Sequence, residues 1–186
     1  MSIYNKSEIV EALDKNVKAF NQFILSLNKE QFENTNDGKW SAGQNLDHLI
    51  LAIKPLQPAF SLPGFILNKL FGKAKRPSKS YEALVEKYKS KLASGGKASG
   101  RFIPKIILFA EKEIFVKKYN RQKEKLIHKI KKQSEDKFDN YILPHPLLGK
   151  ITLREMLFFT IYHNGHHLQI VTQRKNLQSK SHEYYL

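Results

Sequence analysis

Apolar residues recur at helical spacing through most of this chain of 186 residues. A period close to 3.6 residues is typical of a helix that buries one face. The first such segment carries Ile9, Val10, Leu13, Val17, Phe20, Phe23, Ile24 and Leu27. Similar segments follow Ser41, Pro104 and Thr152, and we find no convincing strand series, internal repeat or heptad array. Four long helices predict an all-α fold, specifically a four-helix bundle.

Two capping boxes mark helix starts. Ser41 with Gln44 precedes the second helix, and Thr152 with Glu155 precedes the fourth. In such a box each side chain accepts a hydrogen bond from the other residue's main-chain N–H. We expect the fourth helix to end near Asn176.

A long connection separates the second helix from the third. Pro55 and Pro58 should end or kink the second helix. Residues 60–71 and 81–92 each suggest a short helix, the first alternatively a packed loop, and the glycine- and serine-rich residues 93–100 suggest a flexible loop. A connection of this length permits a crossover, so a simple up-down-up-down order is not required.

The third helix is expected to begin near Pro104, a residue suited to the first helical turn, and to reach about Gln133. Its predicted apolar positions are Ile107, Leu108, Ile114, Phe115, Leu126, Ile127 and Ile130. Residues 138–150, which contain prolines and a glycine, are predicted to form a loop. Residues 28–38 are polar and rich in turn-forming residues.

Composition narrows the class of protein. A chain of 186 residues suits one domain, residues 1–186. It contains no cysteine, which excludes disulfides and thiolate ligands, so any metal must be bound by nitrogen and oxygen. No apolar run approaches the roughly 20 residues that span a bilayer, and residues 1–8 lack an apolar signal core. We therefore expect a cytoplasmic protein without a membrane partner.

The formal net charge is +15, from 27 lysines and five arginines against 17 acidic residues. The densest basic run lies in residues 117–137. One interpretation is the solvated face of a long helix, and the other is an anion-binding surface. Because lysine dominates over arginine, we expect non-specific electrostatic affinity for nucleic acid at low salt and no specific nucleic-acid partner.

Three histidines are candidates for metal ligands. His163 and His167 are four residues apart, so they lie on one face of the fourth helix. His48 lies in the second helix. Three imidazoles with a position left open are typical of a catalytic metal site. The alternative is ordinary hydrogen bonding of buried histidines.

Three motifs carry a family resemblance. Residues 40–49 are WSAGQNLDHL, residues 145–155 are HPLLGKITLRE and residues 163–170 are HNGHHLQI. In this order they resemble the W-S-x-x-E-x-L-x-H-L, H-P-x-x-G-x-x-T-x-x-E and H-x-x-x-H-x-Q-I patterns of the DinB/YfiT-like superfamily of metal-binding four-helix bundles. The resemblance implies that fold with a long crossover connection, and a homodimer.

By position, the resemblance implies that His48, His163 and His167 are the metal ligands. His166 is then a neighbour of the site, although its spacing from His163 would also permit a ligand pair. The further candidates for the pocket or the surroundings of the metal are Trp40, Gln44, Asn45, Asn164 and His166. The family often has an acid where this chain has Gln44 or Asn164. His128, His145 and His182 are expected to be structural or solvated.

The ligand set suits zinc or nickel. The resemblance implies either a transferase that uses a low-molecular-weight thiol, such as bacillithiol, on small electrophiles, or a metal-dependent hydrolase. A hydrolase needs a general base, and the nearest acid, Asp47, points roughly 100° away from His48 around the helix. The transferase therefore ranks first. The non-enzymatic alternative is a stress-related metal-binding or interaction protein with a basic surface.

Overall fold

The computed structural model describes residues 5–35 and 38–183, with side chains up to residue 175. Within these ranges, none of the helices combines the length and apolar character that crossing a bilayer requires. The elements are α1 (Lys6–Leu25), α2 (Lys29–Glu33), α3 (Ala42–Ile53), α4 (Leu56–Ser61), α5 (Gly64–Phe71), α6 (Tyr81–Ala93), α7 (Lys112–Lys131), α8 (Glu135–Asn140), β1 (Ile142–His145), β2 (Gly149–Thr152) and α9 (Leu153–Glu183).

Four of these helices, α1, α3, α7 and α9, form the predicted bundle. The helix α1 packs against α7 and α9, and α3 packs against the same two helices. Consequently α1 and α3, although consecutive among the bundle helices, lie at opposite corners. The shared core is built from the apolar faces that the helical spacing predicts, with Leu13, Leu46, Leu126 and Leu157 among its members.

Contacts between the helices give their directions. The Lys112 ammonium, at the start of α7, donates to the carbonyls of Leu25 (3.1 Å) and Leu27 (2.8 Å) at the end of α1, so these helices are antiparallel. By contrast, α7 runs parallel to α3. Asp47 of α3 contacts Lys105 just before α7, and Gln57, which follows α3 in α4, contacts Gln122 farther along α7. Parallel neighbours require the long connection to cross over, as predicted.

Both predicted capping boxes are confirmed. The Ser41 hydroxyl accepts from the Gln44 N–H (3.1 Å), and the Gln44 side-chain oxygen accepts from the Ser41 N–H (3.0 Å). Thr152 and Glu155 form the same reciprocal pair at the start of α9. The second bundle helix ends at Ile53, before the two prolines, as expected.

The start of the third bundle helix was predicted wrongly. It begins at Lys112 rather than near Pro104, and residues 103–108 form neither helix nor strand. The Asp47 carboxylate accepts from the Lys105 N–H (3.1 Å) and the Glu33 carboxylate from the Phe109 N–H (2.7 Å). These long-range bonds satisfy main-chain donors that a helix would otherwise use. Leu108 and Ile114, two of the apolar positions assigned to this helix, are exposed.

Other local predictions also need correction. Residues 138–150 are not a plain loop, because they include the end of α8 and an antiparallel hairpin in which Ile142 pairs with Thr152 and His145 with Gly149. Prolines and a four-residue strand length hide this hairpin in the sequence. A short helix, α2, occupies part of the polar segment after α1, and α9 continues beyond Asn176 to Glu183.

One lysine of the basic run is not solvated. The Lys123 side chain is fully buried, and its ammonium pairs with Asp14 (2.5 Å) and Glu124 (2.8 Å). A buried ammonium requires such partners because isolated charges are costly to desolvate. The exposed lysines of the run are compatible with both a solvated helix face and an anion-binding surface.

Candidate metal centre

Three buried imidazoles converge between α3 and α9. The Nε2 atom of His163 lies 3.2 Å from Nε2 of His48 and 3.0 Å from Nε2 of His167. One possible ligand nitrogen from each of the three lies within 4.8 Å of the other two. His163 and His167 occupy successive turns of α9, and His48 reaches them from α3. The structure thus brings together the three residues that the motifs select.

The other ring nitrogen of His48 is held by the main chain. Its Nδ1 lies 2.8 Å from the carbonyl oxygen of Phe102. A carbonyl can only accept a hydrogen bond, so Nδ1 must carry the proton. In the neutral ring Nε2 is then unprotonated, with its lone pair directed toward His163.

Asn45 determines which ring nitrogen of His167 carries the proton, as the Phe102 carbonyl does for His48. Its side-chain amide nitrogen donates to the carbonyls of Ser41 (2.8 Å) and Trp40 (3.2 Å), which fixes the orientation of the amide. The amide oxygen therefore faces Nδ1 of His167, at 2.6 Å, and accepts its proton. This leaves Nε2 of His167 unprotonated as well.

The three converging nitrogens cannot all be satisfied by hydrogen bonds among themselves. A proton on Nε2 of His163 can be donated fully to either His48 or His167, at 3.2 Å and 3.0 Å, and the lone pair of the other imidazole then has no donor within the cluster. A metal bound to nitrogens at about 2.0–2.1 Å with tetrahedral angles places those nitrogens about 3.3–3.4 Å apart. The donor set, three neutral imidazoles with oriented outer nitrogens, fits a divalent metal ion.

Burial keeps these imidazoles neutral. It lowers the pKa of His48, although the Phe102 carbonyl and the Asp47 charge act in the opposite direction. Burial, and then repulsion from neighbouring imidazoles, holds the pKa values of His163 and His167 well below the ordinary value. Neutral imidazole is the form that binds a metal, so the site needs little proton release.

Aromatic rings surround the three histidines. The Trp40 ring lies 4.9 Å from that of His48, and Phe159 stacks on His163 at 4.7 Å. Tyr88, from α6 in the crossover connection, lies 6.3 Å from the His163 ring. Burial raises the pKa of Tyr88 to about 12, so its phenol stays protonated. These rings provide an apolar setting for a small ligand.

Three other predicted neighbours have different surroundings. The Gln44 side chain serves the cap of α3. The Asn164 amide oxygen accepts from the Tyr119 hydroxyl, and its nitrogen donates to the Thr160 carbonyl. His166 stacks on Tyr162 with its ring 5.3 Å from that of His167, but it is not one of the three converging side chains.

Two of the three histidines that were expected to be structural or solvated, His145 and His128, have described side chains and such surroundings. His145 Nδ1 accepts from the N–H groups of Leu147 (3.2 Å) and Leu148 (3.1 Å), which closes the hairpin turn. His128 is exposed. His182 lies outside the residues whose side chains are described.

Sequence reasoning missed two contributors, Phe102 and Tyr88. Phe102 acts through its carbonyl, which any residue could supply, so no side-chain pattern could reveal it. Tyr88 lies in a helix that was predicted, but nothing local places that helix beside α9. A separate surface groove of about 510 Å³ is lined by Lys6, Glu11 and Asp14, among others, and contains none of the three histidines.

Comparison with known proteins agrees with this geometry. The chain is similar in fold to YfiT from Bacillus subtilis, described as a probable metal-dependent hydrolase with an unusual four-helix bundle topology. The two share 18% identity with a TM-score of 0.63, over 94% of this chain and 87% of that one. No curated protein sequence gives a significant match. The model of the DinB superfamily matches residues 12–171. The chain therefore belongs to the DinB superfamily.

Proposed function

We propose that His48, His163 and His167 bind one divalent metal ion through their Nε2 atoms, and that the loaded protein transfers a low-molecular-weight thiol to small electrophiles. The proposed metal site rests on one observation: hydrogen bonds fix the position of the ring proton on two of the three imidazoles. Phe102 and Asn45 hold the protons of two imidazoles on Nδ1, so that unprotonated Nε2 atoms meet around His163. Either zinc or nickel suits three imidazole ligands.

The residues around the metal have distinct tasks. When bound, the ion supplies Lewis acidity at its open position, which favours the thiolate form of a thiol. The Phe102 carbonyl and Asn45 orient the ligand rings. Trp40, Phe159 and Tyr88 exclude water from the surroundings and provide apolar surface for the electrophile.

Among the residues that the structure describes, the converging group contains no carboxylate, which favours transfer over hydrolysis. Asp47 is the nearest acid in sequence, but its Oδ2 accepts from the Lys105 N–H, which ties the side chain to the segment before α7. A thiolate can attack an electrophile without a general base from the protein. Attack by water requires such a base more often.

Hydrolysis is the second candidate, because the description of the similar-fold YfiT names that activity. A homodimer, implied by the family resemblance, is compatible with either reaction. The two reactions differ in the nucleophile they require, so one assay can separate them.

Metal binding is tested first. Protein purified without a metal-affinity tag is analysed for bound elements, and the metal-free form is titrated with Zn²⁺ and Ni²⁺ while thermal unfolding is followed. We expect one ion per chain and a rise in melting temperature that His48→Ala abolishes. His128→Ala, at an exposed histidine, is the matched control and should behave like the wild type. A lack of stoichiometric metal binding by the wild type would refute the proposed site.

Activity is tested on the metal-loaded protein. Small thiols are screened with an electrophilic acceptor, and ester and amide substrates are screened without thiol. Turnover that requires thiol and disappears in His163→Ala supports the transferase. Thiol-independent cleavage that disappears in the same variant supports hydrolysis instead. Stoichiometric metal without either activity favours the non-enzymatic interpretation.

A further inference from the structure

Four large aliphatic side chains are exposed within residues 103–114. The exposed fractions are 58% for Ile103, 68% for Ile106, 58% for Leu108 and 65% for Ile114. Solitary exposed apolar residues are ordinary, but several in one short stretch mark an interaction surface. We name residues 103–114 the apolar segment.

The apolar segment is anchored rather than loose. Between its exposed residues, Pro104 and Ile107 are buried. Main-chain N–H groups along it have partners: Ile103 donates to the Gly100 carbonyl (3.1 Å) and Leu108 to the Glu111 carboxylate (3.1 Å). Lys105 and Phe109 donate to carboxylates of α3 and α2, as described above. The segment therefore offers few main-chain donors to an added strand, and what it presents outward is side chains.

Positive charge lies beside these side chains. The ammonium groups of Lys105 and Lys118 lie 5.2 Å and 4.8 Å from the same Phe115 ring. Lys118 is one helical turn from Ile114, which joins the lysines to the exposed aliphatic groups. Within the described residues two acids lie on this stretch: Glu111, which accepts from the Leu108 N–H at 3.1 Å, and Glu113, whose carboxylate lies 3.8 Å from the Lys117 ammonium.

The exposed aliphatic side chains and the neighbouring lysines together favour one class of binding partner. A second copy of this chain docked on this same face would bring the lysines of the two copies together, which is unfavourable there. A protein partner of opposite charge would normally find a groove for its side chains, whereas the segment projects individual aliphatic groups with lysines between them. Aliphatic groups that insert and lysines that reach the phosphates are the features by which proteins bind an anionic lipid surface.

We propose that the apolar segment binds the surface of anionic phospholipid membranes, with Ile103, Ile106 and Leu108 entering the interface and Lys105 and Lys118 contacting lipid phosphates. This is peripheral binding, and it revises the expectation of no membrane partner, which rested on the lack of a spanning segment. It is independent of the metal site, although the Phe102 carbonyl that orients His48 directly precedes the segment.

The test is cosedimentation of the full chain with phosphatidylcholine vesicles, with and without about 30 mol% phosphatidylglycerol, at about 0.15 M salt. We expect binding only to the anionic vesicles. Ile106→Gln should lower the partition coefficient by about tenfold, since burial of one isoleucine contributes that much. Lys105→Gln and Lys118→Gln should each lower it roughly fivefold.

Phe65→Gln is the matched control, because Phe65 is 74% exposed on α5, outside the apolar segment, and the change is likewise neutral in charge. It should bind as the wild type does. The proposal is overturned if the wild type does not bind anionic vesicles, or if Ile106→Gln and Phe65→Gln bind equally. It is also overturned if light scattering shows a dimer that Ile106→Gln converts to monomer, since the segment would then join two copies.

Discussion

At the scale of single residues, the properties of the cluster depend on atoms beside the imidazoles. Asn45 is one turn before His48 on α3, yet its amide acts on His167 of the opposite helix. It does so because two main-chain carbonyls hold its amide nitrogen and leave only the oxygen for the imidazole. The role of Asn45 thus follows from its hydrogen bonds rather than from its position in a motif.

Replacement of Asn45 by leucine should weaken metal binding. Without its acceptor, the His167 ring is free to change tautomer, and loss of such a partner typically costs 10–100-fold in affinity. Competition with a chromogenic chelator measures this. Gln44→Leu is the control: it removes an adjacent amide that serves only the α3 cap, so the unfolding midpoint should fall while metal affinity stays within about twofold. Equal affinities for both variants would contradict the assigned role.

His145 should make stability depend on pH. Burial, together with the charge of Lys87, lowers the pKa of His145 to about 4, against 6.5 for an ordinary histidine. Between these values the unfolded chain binds a proton that the folded chain does not, so stability falls as pH falls. We expect His145 to account for a loss of about 1–3 kcal/mol across this range.

His145→Asn separates this titration from the hydrogen bonds. The asparagine oxygen can replace Nδ1 as acceptor for Leu147 and Leu148, but it does not titrate. Urea unfolding of this variant at several pH values should show a flatter profile between pH 6.5 and 4 than that of the wild type. An unaltered slope in His145→Asn would show that other groups cause the dependence.

At the scale of elements, the start of α9 is fixed by one buried carboxylate. Glu155 accepts from the Thr152 N–H, from both terminal nitrogens of Arg76 (2.6 and 2.9 Å) and from the Lys79 N–H. It therefore ties the crossover connection to the helix that carries His163 and His167. A capping box predicts the first of these bonds, but nothing in the local sequence predicts the others.

Glu155→Gln should destabilise the fold by about 2 kcal/mol at pH 7, because charge-assisted bonds become neutral ones. Burial alone would raise the pKa of Glu155, but the bonds from Arg76, Lys79 and Thr152 outweigh it and lower that pKa. The stabilisation is present above the ordinary value of 4.5 and is lost as pH falls through the folded value.

Chemical unfolding of both proteins across pH tests this expectation. The difference between wild type and Glu155→Gln should shrink in acid, where the wild-type carboxyl is also neutral. The control is Glu86→Gln, which removes an exposed partner of Lys89 and should change stability by less than about 0.5 kcal/mol. A difference that persists unchanged at low pH would mean that the charge of Glu155 does not contribute.

The segment before α7 shows where element prediction fails. The apolar residues there continue the helical pattern of α7, and Pro104 suits a helix start. Carboxylates of Asp47 and Glu33 nevertheless bind the main chain, and residues 103–108 do not become helical. Helical spacing alone cannot reveal this, because the competing bonds come from residues more than 50 positions away.

At the scale of the whole molecule, net charge and topology are the dominant features. The charge of +15 is spread over a small bundle, so the folded state carries considerable self-repulsion. Salt should therefore stabilise the protein: going from about 0.01 M to about 0.15 M sodium chloride shortens the Debye length from about 30 Å to about 8 Å. We expect the urea midpoint to rise without a change in slope. A lower midpoint at higher salt would mean that ion pairs such as Arg154–Asp139 outweigh the repulsion.

The sequence by itself determined the helices of the bundle, their main caps and the identity of the three converging histidines, because helical spacing, capping and motif order are local properties. Tertiary structure alone decided that α3 and α7 run parallel, that residues 103–108 form neither helix nor strand and expose Ile103, Ile106 and Leu108, and which nitrogen of His48 and of His167 carries the proton. Those features depend on carbonyl and carboxylate oxygens brought from distant positions, and such contacts exist only once the chain has folded.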